Sequence, residues 1–442
     1  MAKTDYVSFF KGKTATLMGL GLLGRGSGDA AFLAQHCARV LVTDMKGAEA
    51  LRPSIEALSA YKNIEFHLGG HSDALFTQTD FVIKGAGVRL DNRYIALARQ
   101  HNVPVYMSTA LFAHLSGIKT IGVTGTRGKT TVTCMIADIL EKAGRKVLLG
   151  GNIRGVSTLA QLPQADQYEA AVLELDSWQL QGFDDLHISP NLSVFTSFYP
   201  DHMNYYDGNE AHYLNDKTAI YRNQKPGDVL ITTPEVNAIL PPHRTDGWVV
   251  APPLPDTYIL SLPGAHNRMN AALARETMLR YGVDAAVIDA ALPGFSGVEG
   301  RLSRAGTWQG RSFYNDSNAT TQEATLAALN AFPANKIVLI FGGADKGLPI
   351  DALIHKIGHD KIRAVLLKGT GSDRVLQHLP GLPVAGSMAE AVQRACALSA
   401  SGDTLILSPA FASFGMFTNE YDRSDQFVAE VNRLMASEKA FL

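Results

Sequence analysis

The stretch Ile118-Lys119-Thr120-Ile121-Gly122-Val123-Thr124-Gly125-Thr126-Arg127-Gly128-Lys129-Thr130-Thr131 constrains this chain more than any other. Its apolar run, Thr120 to Val123, predicts a buried strand. A glycine-bearing turn follows, and then Val132, Met135, Ile136, Ile139 and Leu140 recur at helical spacing within Val132 to Ala143. Gly125 and Gly128 let the backbone approach a ligand with its N–H groups turned inward, and the helix start adds partial positive charge. Strand, turn and helix together therefore read as a phosphate loop. Lys129 would reach the outer phosphates of ATP, and Thr130 would hold Mg²⁺. The spacing Gly-x-x-Gly-Lys-Thr is tighter than the common Gly-x-x-x-x-Gly-Lys-Thr, so the competing reading is a glycine-rich surface turn.

Composition sets the frame. A chain of 442 residues has room for two or three domains, and 46% hydrophobic residues with 40 basic and 42 acidic side chains describe an ordinary globular protein. The net charge of −2 speaks against a nucleic-acid partner, which calls for a basic patch. Cys37, Cys134 and Cys396 lie far apart and in no metal-type spacing, as expected of buried thiols in a reducing compartment. No apolar run approaches the ~20 residues of a membrane span, so no membrane span is expected and the cytoplasm is the expected location.

Upstream, Thr14–Met18 predicts a strand running into Gly19-Leu20-Gly21-Leu22-Leu23-Gly24, then a helix over Ala30–His36 and a strand Arg39–Thr43 ending at Asp44. Glycines at this spacing, with an acid about 20 residues on, form a dinucleotide fingerprint. The same geometry cradles any diphosphate, so it points to a nucleotide diphosphate more firmly than to NAD. Phe81–Lys84 leads into a second glycine turn, Gly85-Ala86-Gly87, and Val103–Met107 closes this region.

After the phosphate loop, Lys146–Asn152 and Ala170–Leu175 predict strands, the second ending at Glu174, Asp176 and Ser177, where a phosphate-loop enzyme holds its metal. A helix N-cap at Asp176 or Ser177 is the competing reading. Leu192–Thr196 is a further strand, and His202 follows in the loop beyond it. Lys217 sits on an amphipathic helix, where a solvated lysine is the default. Asn267 and Asn270 share a helix face, as a base-contacting pair or as caps. From Glu299 onward, strands at Ile337–Phe341, Ala364–Leu367 and Thr404–Leu407 each end in a small-residue turn, which predicts another parallel α/β unit.

Taken in order, Thr124–Thr131, Gly151-Asn152, Glu174–Gln179, Asp201-His202-Met203, His266-Asn267, Asn315-Asp316-Ser317 and Ser408-Pro409-Ala410 resemble the Mur ligases of peptidoglycan synthesis over nearly the whole chain. The resemblance implies an α/β protein of three domains, each with a largely parallel sheet: residues 1–108 for a UDP-sugar, 109–299 for ATP, and 300–442 for an amino acid. The Gly-Leu-Gly start favours the branch that adds D-glutamate to UDP-N-acetylmuramoyl-L-alanine over siblings that add L-alanine or a diamino acid. Carried over residue by residue, Gly21, Leu22, Leu23, Asp44, Lys46, Gly87, Asn152, Ser177 and Gln179 would face the UDP-sugar. Gly125, Thr126, Arg127, Gly128, Lys129, Thr130 and Thr131 would bind ATP, with Asn267, Asn270, Arg301 and Asp316 toward adenine and ribose. Thr130, Glu174, His202 and Lys217 would serve two Mg²⁺ ions, and Lys217 would do so as a carbamate, which reverses its reading as a solvated cation. Lys129, Glu174, His202 and Lys217 form the implied catalytic set, and Thr320, Lys346, Ser413 and Phe414 would hold the amino acid.

The implied reaction makes a carboxylate electrophilic by phosphorylation; the amine of glutamate attacks the acyl phosphate and phosphate leaves. Three substrates on three domains imply closure for turnover and opening for release, in a monomer acting on small molecules. The chain departs from the family pattern at Arg127 and Thr130, at Asp176 and Trp178, at Asn318 in place of a lysine, and at Gly415 and Glu420. These leave open a sibling ligase using another amino acid, such as L-glutamate. More remote alternatives are an NAD-dependent oxidoreductase, prompted by Gly19–Gly24 and Asp44, and a non-catalytic ATP-binding protein.

Overall fold

The computed structural model describes residues 5–439 except 23, 154, 242–246 and 256. Three sheets succeed one another along the chain. The first contains β1 (Thr14–Met18), β2 (Arg39–Asp44), β3 (Ile64–Leu68), β4 (Phe81–Lys84) and β5 (Val105–Tyr106), all parallel, in the order β3-β2-β1-β4-β5. The second contains β6 (Lys119–Thr124), β7 (Val147–Gly151), β8 (Ala170–Glu174), β9 (Leu192–Phe195), β10 (Val229–Thr232) and β11 (Trp248–Val250). It too is parallel, ordered β11-β10-β9-β6-β8-β7.

The third sheet contains β12 (Ser303–Trp308), β13 (Arg311–Asn315), β14 (Ile337–Gly342), β15 (Arg363–Leu367), β16 (Val384–Ala385) and β17 (Thr404–Leu407). Its order is β12-β13-β17-β14-β15-β16; β12 runs antiparallel to β13 and the other pairs are parallel. The molecule is thus α/β with largely parallel sheets, as the strand-turn-helix recurrences predict.

Central strands covered on both faces need no alternation of polar and apolar residues. Every residue of β8 (Ala-Ala-Val-Leu-Glu) and of β14 (Ile-Val-Leu-Ile-Phe-Gly) is buried accordingly. Edge strands carry weaker signals: β3 alternates in burial, β12 is half-exposed and β16 is two residues long, and none of the three was expected from the sequence. Helix Lys129–Lys142 buries the predicted stripe Val132, Met135, Ile136, Ile139 and Leu140, each contributing about 1.5–3 kcal/mol of apolar burial. It starts three residues earlier than Val132, because Gly128 turns left-handed at φ 85° and hands the chain to the helix at Lys129.

The chain groups into two compact units: residues up to Pro252 with Ala271–Ala291, and Pro253–Asn270 with Leu292–Leu442. The first unit holds the first two sheets and the second unit holds the third. Within the first unit one core cluster runs from Phe10, Leu33 and Val42 through Phe112 and Leu180 to Ala219. Strand order alone places the functional loops. β1 lies between β2 and β4, and β6 between β8 and β9, so the loops beyond their carboxyl ends meet at a crevice, where ligands bind in open α/β sheets.

Candidate active site

Beyond β6 the phosphate loop is laced to the loop that follows β9. Thr126 N donates to Ser197 O at 2.8 Å, Arg127 N to Ser197 Oγ at 2.9 Å, and Tyr199 N to Thr126 Oγ1 at 3.0 Å. Thr196 and Ser197 hydroxyls both donate to Arg127 O. Gly125, at φ 141°, leaves no space for a side chain: a Cβ there would lie 2.1 Å from Thr196 Oγ1 and 2.9 Å from Ser197 N. Gly125→Ala is therefore expected to cost about 1–3 kcal/mol in stability, read as a lowered unfolding midpoint in urea, and to weaken ATP binding with it.

Lysines converge on this loop. Lys129, the first residue of its helix, donates from Nζ to Gly125 O at 3.0 Å and Thr126 O at 3.1 Å. Lys217, on helix Glu210–Arg222, donates from Nζ to the same Gly125 O at 2.8 Å and lies 4.7 Å from the Tyr213 ring centroid. The solvated reading of Lys217 is overturned: the side chain is 1% exposed. Tyr213, Lys217 and Ile220–Tyr221 form one inward stripe, so docking of the helix, and not its composition, buries the amine. Burial, then the nearby Lys129 ammonium, pushes the Lys217 pKa well below its ordinary value, against the opposing pull of Asp176, Asp201 and Asp216.

His202 holds a left-handed backbone at φ 55°, with Nε2 3.8 Å from Asp201 Oδ2 and its ring 4.7 Å from that of Trp178. Its pKa is lowered, first by desolvation and then by Lys129 and Lys217, with Asp201 and Asp176 opposing, so the neutral ring that can ligate a metal persists below the usual histidine range. Glu174, at the end of β8, is buried, and its Oε1 accepts one long bond, 3.3 Å, from Asn152 Nδ2. Thr130 is half-buried in the first turn of the phosphate-loop helix. Asp176 caps helix Ser177–Asp185: its Oδ1 accepts from Gln179 N at 2.7 Å, and Gln179 Oε1 accepts from Asp176 N at 3.4 Å. The capping reading is correct there.

Among the described residues no three His, Cys, Asp or Glu side chains group to hold a metal on their own. The donor chemistry nonetheless fits Mg²⁺, which binds few protein oxygens and takes the rest from water and phosphates. A buried carboxylate with spare lone pairs and a hydroxyl on the phosphate-loop helix suit it, and the neutral imidazole, a softer nitrogen donor, suits it less. The Lys217 ammonium does not suit it.

Of the UDP-sugar candidates, Asp44 is buried and draws two turns together: its Oδ2 accepts from Gly21 N at 3.1 Å and its Oδ1 from Lys46 N at 2.9 Å. Leu22 is 55% exposed, and Leu23 lies outside the described residues. The turn carrying Gly87 abuts the first one through Gly85 N donating to Met18 O at 2.8 Å. Asn152 Oδ1 accepts from Arg25 Nη2 at 3.0 Å, so Arg25, Asn152 and Glu174 form a chain from the first glycine turn to β8. Ser177 is buried, and Gln179, besides its capping bond, donates to Thr109 Oγ1 at 3.2 Å.

In the second unit, Asp316 is buried with Oδ1 accepting from Leu302 N at 3.1 Å and Oδ2 from Ser408 Oγ at 2.8 Å. Arg301, next to Leu302, is exposed. Asn267 and Asn270 are buried; Asn267 Nδ2 donates to Pro263 O at 2.8 Å, and Asn270 Nδ2 to Asn267 Oδ1 at 3.3 Å. The amino-acid candidates stand on loops beyond the adjacent strands β13, β17 and β14. Lys346 Nζ donates to Thr320 Oγ1 at 3.1 Å, Ala344 and Ala412 form a bridge, Ser413 is buried and Phe414 is 65% exposed.

The match to known proteins is then informative. The Mur ligase middle domain matches residues 123–239, and the glutamate ligase domain of Mur ligases matches residues 300–411. The UDP-N-acetylmuramoylalanine–D-glutamate ligase of Roseiflexus sp. (strain RS-1) is 35% identical, over 94% of this chain and 97% of its own length. The chain belongs to the Mur ligase family. The enzyme of the same description from Shouchella clausii is 32% identical over 94% and 96% of the two chains. In fold, this Mur ligase is similar to the UDP-N-acetylmuramate–alanine ligase of Thermotoga maritima, with a TM-score of 0.60 at 20% identity over 96% and 100% of the two chains. It is also similar to the MurF ligase of Thermotoga maritima in complex with ADP, with a TM-score of 0.59 at 13% identity over 98% and 97%.

Several residues that shape the candidate site gave no local sequence signal. Ser197 and Thr196 lace the phosphate loop, and Arg25 reaches Asn152 across 127 positions. Arg423 is fully buried and ties Ser317 O at 2.8 Å to Phe411 O at 3.2 Å, its pKa lowered to about 10 by burial. Tyr213 was findable, since it shares the helix stripe of Lys217.

Proposed function

We propose that this chain is the ATP-dependent ligase that joins D-glutamate to UDP-N-acetylmuramoyl-L-alanine for peptidoglycan synthesis. The observation that carries the reading is the lacing of the phosphate loop to the His202 loop, with Lys129 and Lys217 meeting at Gly125 O, in a chain whose relatives of that description match over nearly their whole length. The acceptor carboxylate attacks the γ-phosphorus of ATP, ADP leaves, and an acyl phosphate forms. The glutamate amine then adds to the acyl carbon, and the tetrahedral adduct expels phosphate while the nitrogen loses a proton.

Lys129 and the loop N–H groups neutralise phosphoryl oxygens that gain charge during transfer. Thr130, Glu174 and His202 would hold Mg²⁺, which when bound offsets phosphate charge and orients the oxygens. Lys217, its amine driven toward the neutral form by burial, is suited to add to carbon dioxide: the lone pair of the neutral nitrogen bonds to carbon and one N–H proton leaves, giving an anionic carbamate beside the metal residues in place of a repelling cation. In this reading the UDP-sugar is assigned to residues 1–108, ATP to 109–299 and the amino acid to 300–442, with Thr320, Lys346, Ser413 and Phe414 around glutamate. The unpaired thiols Cys37, Cys134 and Cys396 support a reducing, cytoplasmic setting.

Phosphate release is expected to require both acceptor and amino acid, and hydroxylamine is expected to trap an acyl group when ATP and acceptor alone are present. A panel of D- and L-amino acids reads specificity, with D-glutamate expected to give the highest kcat/KM. Hydrolysis of ATP indifferent to acceptor and amino acid would overturn the assignment; a preference for L-glutamate would correct its stereochemistry.

A further inference from the structure

The Arg89 side chain joins the turn after β4 to the loop after β9. Arg89 follows Gly87 by two residues. Its Nη1 donates to Tyr205 O at 2.5 Å, and its guanidinium lies 5.0 Å from the Tyr205 ring centroid. Its Nε and Nη2 grip Asp91 at 2.9 Å, and Nη2 also reaches Asp207 Oδ2 at 3.3 Å. On the side of the first sheet the turn is fixed from beneath: the buried Lys84 donates from Nζ to Val88 O at 3.0 Å, and Val88 N donates to Gly85 O at 3.1 Å. Arg89 therefore does not hang from a loose segment.

On the other side, Tyr205 N donates to His202 O at 2.8 Å, and the Tyr205 ring lies 5.3 Å from Trp178, whose ring is 4.7 Å from that of His202. His202 is held in the left-handed region, which a non-glycine residue keeps only where its surroundings over-determine it. Besides the lacing to the phosphate loop, those surroundings include moorings on either side. One ties the loop to its own sheet: Tyr206 OH donates to Asp216 Oδ2 at 3.0 Å, and Gln181 Nε2 donates to Asp216 Oδ2 at 2.7 Å and to Tyr205 OH at 3.2 Å. The other is Arg89.

We propose that Arg89 is a positioning residue through which the glycine turn Gly85–Gly87 sets the conformation of the loop bearing His202, so that occupancy by the sugar nucleotide is felt beside the phosphate loop. The inference rests on the functional reading above, because it needs a ligand at that turn. Its physical basis is a short run of packed groups (Arg89, Tyr205, Trp178, His202) with main-chain hydrogen bonds at both ends. On this proposal, acceptor bound at the glycine turn shifts the setting of the His202 loop before phosphoryl transfer. The carbonyl and ring contacts carry the coupling, since the ion pairs to Asp91 and Asp207 are solvent-exposed and weak.

Trp178 is the natural reporter, and Trp248→Phe with Trp308→Phe leaves it as the sole tryptophan. In that background, UDP-N-acetylmuramoyl-L-alanine added without ATP is expected to change Trp178 emission. Arg89→Ala is expected to remove most of that change while calorimetric affinity for the acceptor stays within about threefold, and to lower kcat about tenfold with the KM for ATP nearly constant. Arg89→Lys, which keeps a donor for Tyr205 O, should recover part of both and serves as the readout if Arg89→Ala melts early. The pair Asp91→Asn with Asp207→Asn should behave like the parent. An undiminished emission response and unchanged kcat in both Arg89 variants would overturn the coupling. Failure of the parent to bind the acceptor at all would instead overturn the functional reading.

Discussion

Lys129→Ala is expected to lower amide synthesis by about 10²–10³-fold, the usual effect of removing one preorganised donor from a developing anion. The ammonium stands on the first residue of the phosphate-loop helix, and its bonds to Gly125 O and Thr126 O are within the loop itself. The same bonds limit the structural effect, because two hydrogen bonds from a half-exposed amine are worth about 1 kcal/mol or less to stability when water can replace them. Unfolding in urea should therefore shift little while product formation, followed by chromatography of the UDP-linked product, collapses. A second consequence is less obvious. Lys129 is the leading charge that depresses the Lys217 pKa, so its removal lets Lys217 hold a proton to higher pH and makes the remaining site more hostile to a metal ion. Product formation within twofold of the parent would rule out a phosphoryl role for Lys129.

Lys217→Met is expected to make the protein more stable and about 10³-fold less active, opposite signs from one substitution. A fully buried amine beside a second ammonium carries a desolvation cost that an apolar chain of similar length does not. The unfolded chain binds a proton at Lys217 up to a pKa of about 10.4, whereas the folded chain releases it well below that. Folded protein thus holds fewer protons in that window, and stability rises with pH across it; below the folded pKa the penalty is fully present. In buffer stripped of carbon dioxide near neutral pH, Lys217→Met should raise the melting midpoint by about 1–2 °C, equivalent to about 1 kcal/mol. It should also flatten the rise of stability toward pH 10. A lower midpoint together with retained turnover would show that Lys217 is structural.

The phosphate loop was legible because everything that defines it is contiguous: a strand, a turn, a lysine and a helix within about one α/β unit's span. The same holds for β1 with its glycine turn and for the apolar runs of β8, β14 and β17. Strands β10 and β11 and the edges β3, β12 and β16 were missed, because short or half-polar strands are stabilised by their neighbours and not by their own pattern. At the site, a cap at Asp176 or Ser177 was readable because capping is local, and the structure makes it Asp176, paired with the glutamine three positions on. Lys217 was not readable from its own helix as a buried amine, and Arg89, Ser197, Arg25 and Arg423 gave no sign at all.

What the sequence determined by itself was the order of α/β units and the chemistry each glycine turn offers, because backbone approach, helix start and apolar run are set by residues a few positions apart. What only the tertiary structure decided was which of those turns share a crevice and what charge they carry there. Strand order brings the loops after β6, β8 and β9 to one edge, and burial then changes the proton affinity of Lys217 and His202. Desolvation and charge proximity act through space, between residues up to 92 positions apart in the bond from Lys217 to Gly125 O, and no local pattern encodes a distance of 2.8 Å.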